Sequence, residues 1–171
     1  MRKSNKYQNV LNRDYLTFVS NVAPLHDLGK IAIPDSILQK LGKLTDEEYA
    51  KMKEHSVIGS ELILNFFAHL EDDDFKKIAY EVALYHHEKY NSKGYLKGLK
   101  GEDIPLHARI MAIADVFDAI SQNRCYRKAI DIDKYFRIIE EGIGENFVLD
   151  LARMFIDSKD KIIEVMNKFQ K

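Results

Sequence analysis

Hydrophobic residues recur along the chain with the three- and four-residue spacing of amphipathic helices. The first stripe lies in a helix predicted over residues 14–28 and comprises Val19, Val22, Ala23 and His26. A second helix is predicted from Thr45 to about residue 70, because Thr45 and Glu48 have the spacing of a capping box. The buried face predicted for this helix carries Tyr49, Met52, His55, Leu62 and Phe66.

The same spacing continues in the second half of the chain. An acidic start at residues 72–74 opens a helix whose stripe is Phe75, Ala79, Val82 and His86. A helix over about 105–122 is apolar nearly all round, so we expect it to be central. Two more helices are predicted over 131–142 and 148–169, with connectors at 29–42 and 91–103. No run alternates with a period of two, and the predicted fold class is all-α, a helical bundle.

Composition narrows the class of protein. With 46% hydrophobic and 31% charged residues among 171, the chain has the composition of a globular domain. A net charge of −1 argues against DNA as a partner, because nucleic-acid-binding domains carry a basic excess. No apolar run approaches the ~18–20 residues of a membrane helix, so no membrane insertion is expected. The single cysteine, Cys125, excludes an intramolecular disulfide and favours a cytoplasmic location.

Each clear apolar stripe carries one residue that can bind a metal. These residues are His26, His55 and His86, and Asp115 lies inside the most apolar helix. A lone histidine on such a face is usually a core residue or a cap. Four such residues on separate helices favour a common site, because a buried carboxylate needs a cation, a metal or a proton.

Two adjacent pairs, His26–Asp27 and His86–His87, lie where predicted helices end. Neighbours on a helix point ~100° apart, so both members can reach one ion only at such an end. Imidazole and carboxylate ligands without a thiolate suit iron, manganese, zinc or nickel. An aspartate between two such groups could bridge two ions, and metal pairs are widely used to hydrolyse phosphoesters. Lys30, Arg124 and Arg127 could bind phosphate, although each alone is typical of a surface charge.

The run from His26 to Lys30, followed by Ile33-Pro34-Asp35, resembles the signature of the HD superfamily of metal-dependent phosphohydrolases. More narrowly it resembles the HD-GYP branch, which hydrolyses cyclic dinucleotides such as cyclic di-GMP. Further matching blocks follow in order over about residues 22–150. They are residues 42–45, 52–55, 86–88, 94–95, 98–101, 104–105, 114–119 and 124–127.

The resemblance implies a role for each matching residue. The metal ligands would be His26, Asp27, His55, His86, His87 and Asp115, with Asp27 bridging two sites. Asp27 and Lys30 would be catalytic. Substrate would be bound by Lys30, Gly94, Tyr95, Arg124 and Arg127. The cofactors would be divalent transition metals, iron or manganese, and the reaction would be attack on phosphorus by a metal-activated hydroxide.

The sequence also departs from the family pattern. Asn91, Ser92 and Leu96 replace an Asp, a Gly and a Pro of the loop after the histidine pair, and Cys125 replaces another Pro. Residues 1–25 contain neither the His nor the Glu that the family supplies from an earlier helix. We therefore expect a single HD-GYP-like domain over 1–171 that lacks its N-terminal helices and has one incomplete metal site.

Three functions stay open at this point. The first is a cyclic-dinucleotide phosphodiesterase, with an upstream receiver or sensor domain or another signalling protein as a partner. The second is a non-catalytic or weakly active signalling module that binds metal and nucleotide. The third is a phosphohydrolase that acts on another nucleotide. Metal content and turnover separate them.

Overall fold

The computed structural model describes residues 5–122 and 132–169, and these residues form eight α-helices joined by short 3₁₀ turns and loops. The helices are α1 (Arg13–Val22), α2 (Asp35–Leu38), α3 (Asp46–Phe66), α4 (Asp73–Tyr85), α5 (Leu106–Gln122), α6 (Ile132–Glu141), α7 (Leu149–Asp157) and α8 (Lys159–Phe169). Within these ranges there is no strand, only two isolated bridges. The prediction of an all-α fold is confirmed.

Local sequence signals set the starts of α3 and α4. The Thr45 hydroxyl accepts a hydrogen bond from the Glu48 N–H at 3.2 Å, and the Glu48 carboxylate accepts one from the Thr45 N–H at 2.7 Å. Asp72 accepts a hydrogen bond from the Phe75 N–H at 2.9 Å. Each side chain satisfies a backbone donor that the first helical turn leaves free. The predicted capping box is confirmed.

The helix predicted over 14–28 is too long, because α1 ends at Val22. Pro24 cannot donate a backbone hydrogen bond, and its ring would clash with the carbonyl of Ser20 if the α-helix continued. The chain instead forms a 3₁₀ turn over Ala23–Leu25, followed by a bend at residues 26–27. A second 3₁₀ turn covers Leu28–Ala32. The helix predicted over 148–169 also divides, at Ser158, into α7 and α8.

The buried face of α3 differs from the predicted one. Tyr49 and Phe66 are 48% and 66% exposed, and the buried residues are His55, Ser56, Gly59, Ser60 and Ile63. Small residues on this face allow the Leu28–Ala32 turn to approach closely. A β-carbon on Gly29 would lie 2.0 Å from the His55 carbonyl oxygen, so only glycine fits there. This contact brings the segment that follows Asp27 against α3.

Two hydrophobic clusters meet at α5. One contains Met111 and buried residues of α1, α3 and α4; the other contains Ile113 and buried residues of α6 and α7. The central position predicted for α5 is therefore confirmed. None of the helices in the described ranges is long and apolar enough to cross a membrane.

Candidate metal centre

Six side chains from four parts of the fold converge on one place. His26 and Asp27 lie in the bend after the Ala23–Leu25 turn, His55 lies on α3, His86 and His87 follow α4, and Asp115 lies on α5. They form two groups that share Asp27, and in each group one potential ligand atom per residue lies within 4.8 Å of the others. The four-residue group is Asp27, His55, His86 and His87, and the three-residue group is His26, Asp27 and Asp115.

The four-residue group is arranged around one carboxylate oxygen. Asp27 Oδ1 lies 3.4 Å from His55 Nε2 and 3.9 Å from His86 Nε2. His87 Nε2 lies 3.2 Å from His55 Nε2. His55 and His86 are almost completely buried, so this side of the group is shielded from solvent.

The three-residue group uses the other oxygen of Asp27. His26 Nε2 lies 3.2 Å from Asp27 Oδ2 and 3.5 Å from Asp115 Oδ1. Lys30 Nζ lies 2.5 Å from Asp27 Oδ2. Asp115 also faces the other group, because its Oδ2 lies 4.0 Å from His87 Nδ1.

Backbone carbonyl groups fix three of the imidazole rings. In each ring Nδ1–H donates to a carbonyl of its own helix or turn, which directs Nε2 towards Asp27 or Asp115. The bonds run from His26 to Ala23 at 2.7 Å, from His55 to Met52 at 2.7 Å, and from His86 to Val82 and Ala83 at 3.0 Å each. Such outer hydrogen bonds set the tautomer and orientation of metal-binding histidines.

The donor atoms fit a divalent transition metal. Asp27 Oδ1 and His86 Nε2 are buried and have no hydrogen-bond partner. A buried polar atom without a partner costs free energy, and a cation between these atoms would satisfy both. The set of imidazole nitrogens and carboxylate oxygens is one that iron, manganese, zinc or nickel accepts.

The histidines of the two groups differ in protonation, because their pKa values are shifted in opposite directions. Burial lowers the pKa of His86 to about 4 and also lowers the pKa of His55 and His87, so these rings are neutral at pH 7. Burial acts in the same direction on His26, but its hydrogen bonds with Asp115 and Asp27 prevail and raise its pKa to about 10. Burial opposes ionisation of Asp27, yet hydrogen bonds from His26 and Lys30 hold the pKa of this carboxyl well below its usual range.

The loop after the histidine pair is anchored by Glu88, whose role the sequence did not reveal. This side chain is 3% exposed. One of its oxygens accepts hydrogen bonds from the backbone N–H groups of Lys97 and Gly98 at 2.6 and 3.0 Å, and the other accepts one from Leu99 at 3.1 Å. The feature of the sequence that could have indicated this role is the position of the glutamate, directly after the histidine pair and before a glycine-rich loop.

The two loop residues predicted to bind substrate lie close to the metal centre. A β-carbon on Gly94 would lie 2.4 Å from the Lys89 nitrogen, so this residue permits the loop to fold back on its own start. The ring of Tyr95 lies 4.8 Å from the ring of His87, with 32° between the planes. Arg124 and Arg127, the other predicted phosphate ligands, lie outside the described residues.

A cleft of about 200 Å³ opens beside the two groups. His86, His87 and Asp115 line it. Its lining also includes Lys89, Asn146 and Phe147, so the segment between α6 and α7 contributes. Of the candidate ligands at this cleft, His87 and Asp115 are partly exposed, with side-chain exposures of 26% and 23%.

Comparison with known proteins assigns the family. The family model of the HD domain matches residues 16–148. The chain is 43% identical over 165 residues to a cyclic di-GMP phosphodiesterase of Vibrio cholerae, an alignment that covers 96% of this chain and 34% of that protein. It is 47% identical over 123 residues to the cyclic di-GMP phosphodiesterase response regulator RpfG of Xanthomonas campestris, covering 72% and 31% of the two chains.

A third relative differs in the substrate that its name gives. It is the 3′3′-cGAMP-specific phosphodiesterase 2 of Vibrio cholerae, 38% identical over 147 residues, covering 86% of this chain and 27% of that protein. The chain thus spans about a third of the length of these curated relatives. The chain described here belongs to the HD-domain family.

Proposed function

We propose that this chain is the hydrolytic domain of a metal-dependent phosphodiesterase that cleaves a cyclic dinucleotide of the cyclic di-GMP class. The observation that carries the proposal is the pair of histidine–aspartate groups that share Asp27, with Lys30 bound to the shared carboxylate. Two adjacent cation sites on one carboxylate suit a phosphodiester, whose charge is spread over two oxygens. The names of the relatives support the same class of substrate.

Iron or manganese fits these ligands and is the cofactor we propose. When bound, a pair of such ions supplies Lewis acidity and makes a hydroxide nucleophile accessible at neutral pH. Asp27 joins the two groups, and the four histidines and Asp115 complete them. The Lys30 side chain is 38% exposed, so its ammonium group can bind a phosphate oxygen while it stays next to Asp27. Arg124 and Arg127 are proposed to bind the substrate phosphates.

The substrate and the setting are proposals of the same kind. Cyclic di-GMP is the first substrate to test, and 3′3′-cGAMP is the second, because relatives with either name align over most of this chain. One relative is named a response regulator, which supports a receiver domain or another signalling protein as the partner. The single cysteine suits a reducing compartment, and we place the reaction in the cytoplasm.

The alternative is a signalling module that binds metal and nucleotide without turnover. It is favoured by the three-residue group, in which only His26, Asp27 and Asp115 are near one another among the described residues. A two-metal reaction needs both ions in fixed positions, and three side chains hold an ion less firmly than four.

Release of the linear dinucleotide from cyclic di-GMP, measured against manganese or ferrous iron concentration, tests the proposal. We expect metal-dependent turnover that Asp27→Asn abolishes, because this change removes a negative charge from both groups. Asp103→Asn, on the exposed rim of the loop, is the matched control and should retain turnover. A chain that is filled with metal, binds cyclic di-GMP and does not cleave it would establish the non-catalytic module instead.

A further inference from the structure

A row of aromatic rings extends from the metal centre to the surface of α3. The Tyr95 ring lies 4.8 Å from the His87 ring, and the Tyr49 ring lies 6.3 Å from the Tyr95 ring at 81°. Lys53 Nζ lies 5.0 Å from the centre of the Tyr49 ring and 5.9 Å from that of Tyr95. We call Tyr49, Lys53 and Tyr95 the aromatic wall.

The outer part of this wall does not belong to the hydrophobic core. Tyr49 is 48% exposed, although the sequence pattern predicts that it is buried. Tyr49 and Lys53 are one helical turn apart and lie on one side of α3. The exposed Tyr49 ring offers a flat face, and the neighbouring Lys53 offers a hydrogen-bond donor. Both are available to a molecule that extends from the metal centre.

The chemistry of the wall matches a purine base. Bases stack on tyrosine rings, and such stacking contributes to affinity whichever base is present. An ammonium group adds selectivity, because guanine presents two acceptors, O6 and N7, at one edge. Adenine presents an amino group in place of O6 at the same edge, which an ammonium group cannot donate to.

The position of the wall relative to the metal centre supports the same ligand. A phosphodiester bound at the two groups lies next to His87, and a base attached to it through ribose extends several ångströms away. The Tyr95 ring neighbours both the His87 ring and the Tyr49 ring, so a base that extends from the metal centre past Tyr95 reaches Tyr49.

We propose that Tyr49 and Lys53 form, with Tyr95, a guanine-binding subsite that selects guanine-containing cyclic dinucleotides over cyclic di-AMP. This inference rests on the proposed function in one respect, namely that a phosphate of the dinucleotide occupies the metal centre. Tyr49 supplies the stacking face, and Lys53 donates to O6 and N7 of the base. The subsite accepts cyclic di-GMP and 3′3′-cGAMP alike, because each contains a guanine.

Equilibrium binding to the metal-loaded protein tests the subsite. The probes are the bisphosphorothioate analogues of cyclic di-GMP and cyclic di-AMP, which resist hydrolysis. Tyr49→Ala should weaken binding of both probes about tenfold, and Tyr49→Phe should retain it, since stacking needs the ring and not the hydroxyl. Lys53→Met should weaken binding of the guanine probe about tenfold and reduce its preference over the adenine probe.

Two control variants lie on the same helix. Phe66→Ala removes an even more exposed ring at the far end of α3, and Lys51→Met removes a lysine that binds Glu54. Both should bind the probes as the unmodified protein does. Metal content, measured for every variant, should not change, because neither Tyr49 nor Lys53 belongs to the two metal-binding groups.

The outcomes separate the subsite from the proposed reaction. If the wall variants lose affinity and selectivity while the unmodified protein fails to cleave cyclic di-GMP, the subsite stands and the catalytic proposal fails. If the unmodified protein cleaves cyclic di-GMP while Tyr49→Ala and Lys53→Met bind both probes unchanged, the subsite is overturned and the catalytic proposal stands. Unmodified metal-loaded protein that binds neither probe overturns the subsite as well.

Discussion

At the scale of single residues, the four histidines of the candidate metal centre are held in two ways. His26, His55 and His86 each use Nδ1–H to bind a backbone carbonyl, which leaves Nε2 for a metal. His87 instead faces His55 through Nε2 and Asp115 through Nδ1, and its ring packs beside Tyr95. This position makes His87 the side chain that connects the metal centre to the aromatic wall.

His87→Ala should lower metal occupancy, because it removes one of the three histidines that are grouped with Asp27. We expect the apparent affinity for manganese to fall by at least about tenfold to a hundredfold. Loss of a residue that only hydrogen-bonds a metal ligand already has an effect of this size. His69→Ala, at an exposed histidine after α3, is the matched control. Elemental analysis of protein purified without chelator measures the effect. Equal metal content in the two variants would contradict the role of His87 as a ligand.

The two groups should differ in the protons that metal binding releases. The pKa values of His55, His86 and His87 lie below the usual value, so these rings are already neutral at pH 7. His26, with a pKa of about 10, is protonated there and must lose its proton to bind a metal. Affinity of the three-residue group should therefore rise with pH between 7 and 9, while that of the four-residue group stays nearly constant.

Calorimetry in buffers of different ionisation enthalpy measures these protons. The second equivalent of metal should release more protons than the first. Equal release in both steps would show that His26 is not a ligand of the weaker site.

At the scale of elements, close packing of the Leu28–Ala32 turn on α3 sets the distance between Asp27 and His55. Gly29 and Gly59 face each other where the turn packs on α3. Because glycine has no side chain, the two backbones approach closely there. The loop after α4 depends on a different device, the buried carboxylate of Glu88, which binds three successive backbone N–H groups. One contact positions the candidate ligands Asp27 and His55, and the other anchors the loop that carries Tyr95.

Gly29→Ala should destabilise the fold and weaken metal binding, because its β-carbon would meet the backbone of His55 at 2.0 Å. We expect a loss of about 3 kcal/mol in the free energy of unfolding, the upper range for overpacking. At Gly59 the nearest atom to a new β-carbon is the Gly29 nitrogen at 3.0 Å. Gly59→Ala should cost less, since alanine also favours the helix by about 1 kcal/mol. Denaturant unfolding compares the two variants, and equal effects would contradict the packing described.

Glu88→Gln should loosen the loop without removing the metal. An amide keeps one acceptor oxygen but places an NH₂ group against a backbone N–H, so part of the anchor is lost. We expect faster hydrogen exchange at the amides of Lys97, Gly98 and Leu99 and weaker binding of cyclic di-GMP. Glu61→Gln, at an exposed position of α3, is the control. Unchanged exchange in Glu88→Gln would contradict an anchoring role for this carboxylate.

At the scale of the whole molecule, the metal centre joins parts of the chain that are far apart in sequence. The six side chains come from the bend after α1, from α3, from the end of α4 and from α5. The centre also lies where α5 connects the two hydrophobic clusters. An ion bound here would therefore stabilise the packing of these elements, because the arrangement of candidate ligands exists only in the folded chain.

Metal removal should lower thermal stability. At a metal concentration about a hundredfold above Kd the folded state gains about 2.7 kcal/mol, which for a chain of this size raises Tm by about 5–10 °C. Calorimetry before and after chelation, with manganese added back, measures the shift. Titration should show two phases, with the four-residue group filling first and turnover following the second. An unchanged Tm after chelation would contradict a metal that bridges these elements.

Local features of the fold could be predicted from the sequence. These features are the capping box at Thr45, the acidic start of α4 and the apolar character of α5. Each acts within a few residues of chain, so its effect can be predicted from the local sequence. Pro24 is also a local signal, and it explains why α1 ends before His26. The histidine and aspartate pairs could be recognised by type and by their resemblance to the HD superfamily, whereas their roles as ligands stay predictions.

Contacts between distant residues were decided by the tertiary structure. The apolar pattern of α3 predicts a buried Tyr49, but the close approach at Gly29 turns the small-residue face inward and leaves Tyr49 exposed beside Lys53. The same packing brings the candidate ligands together as two groups around Asp27, an arrangement that the resemblance to the HD superfamily implies and that residue spacing alone does not contain. Helical periodicity shows which residues share a face. Which face is buried depends on the shape of the elements that pack against it, and that shape is set by residues elsewhere in the chain.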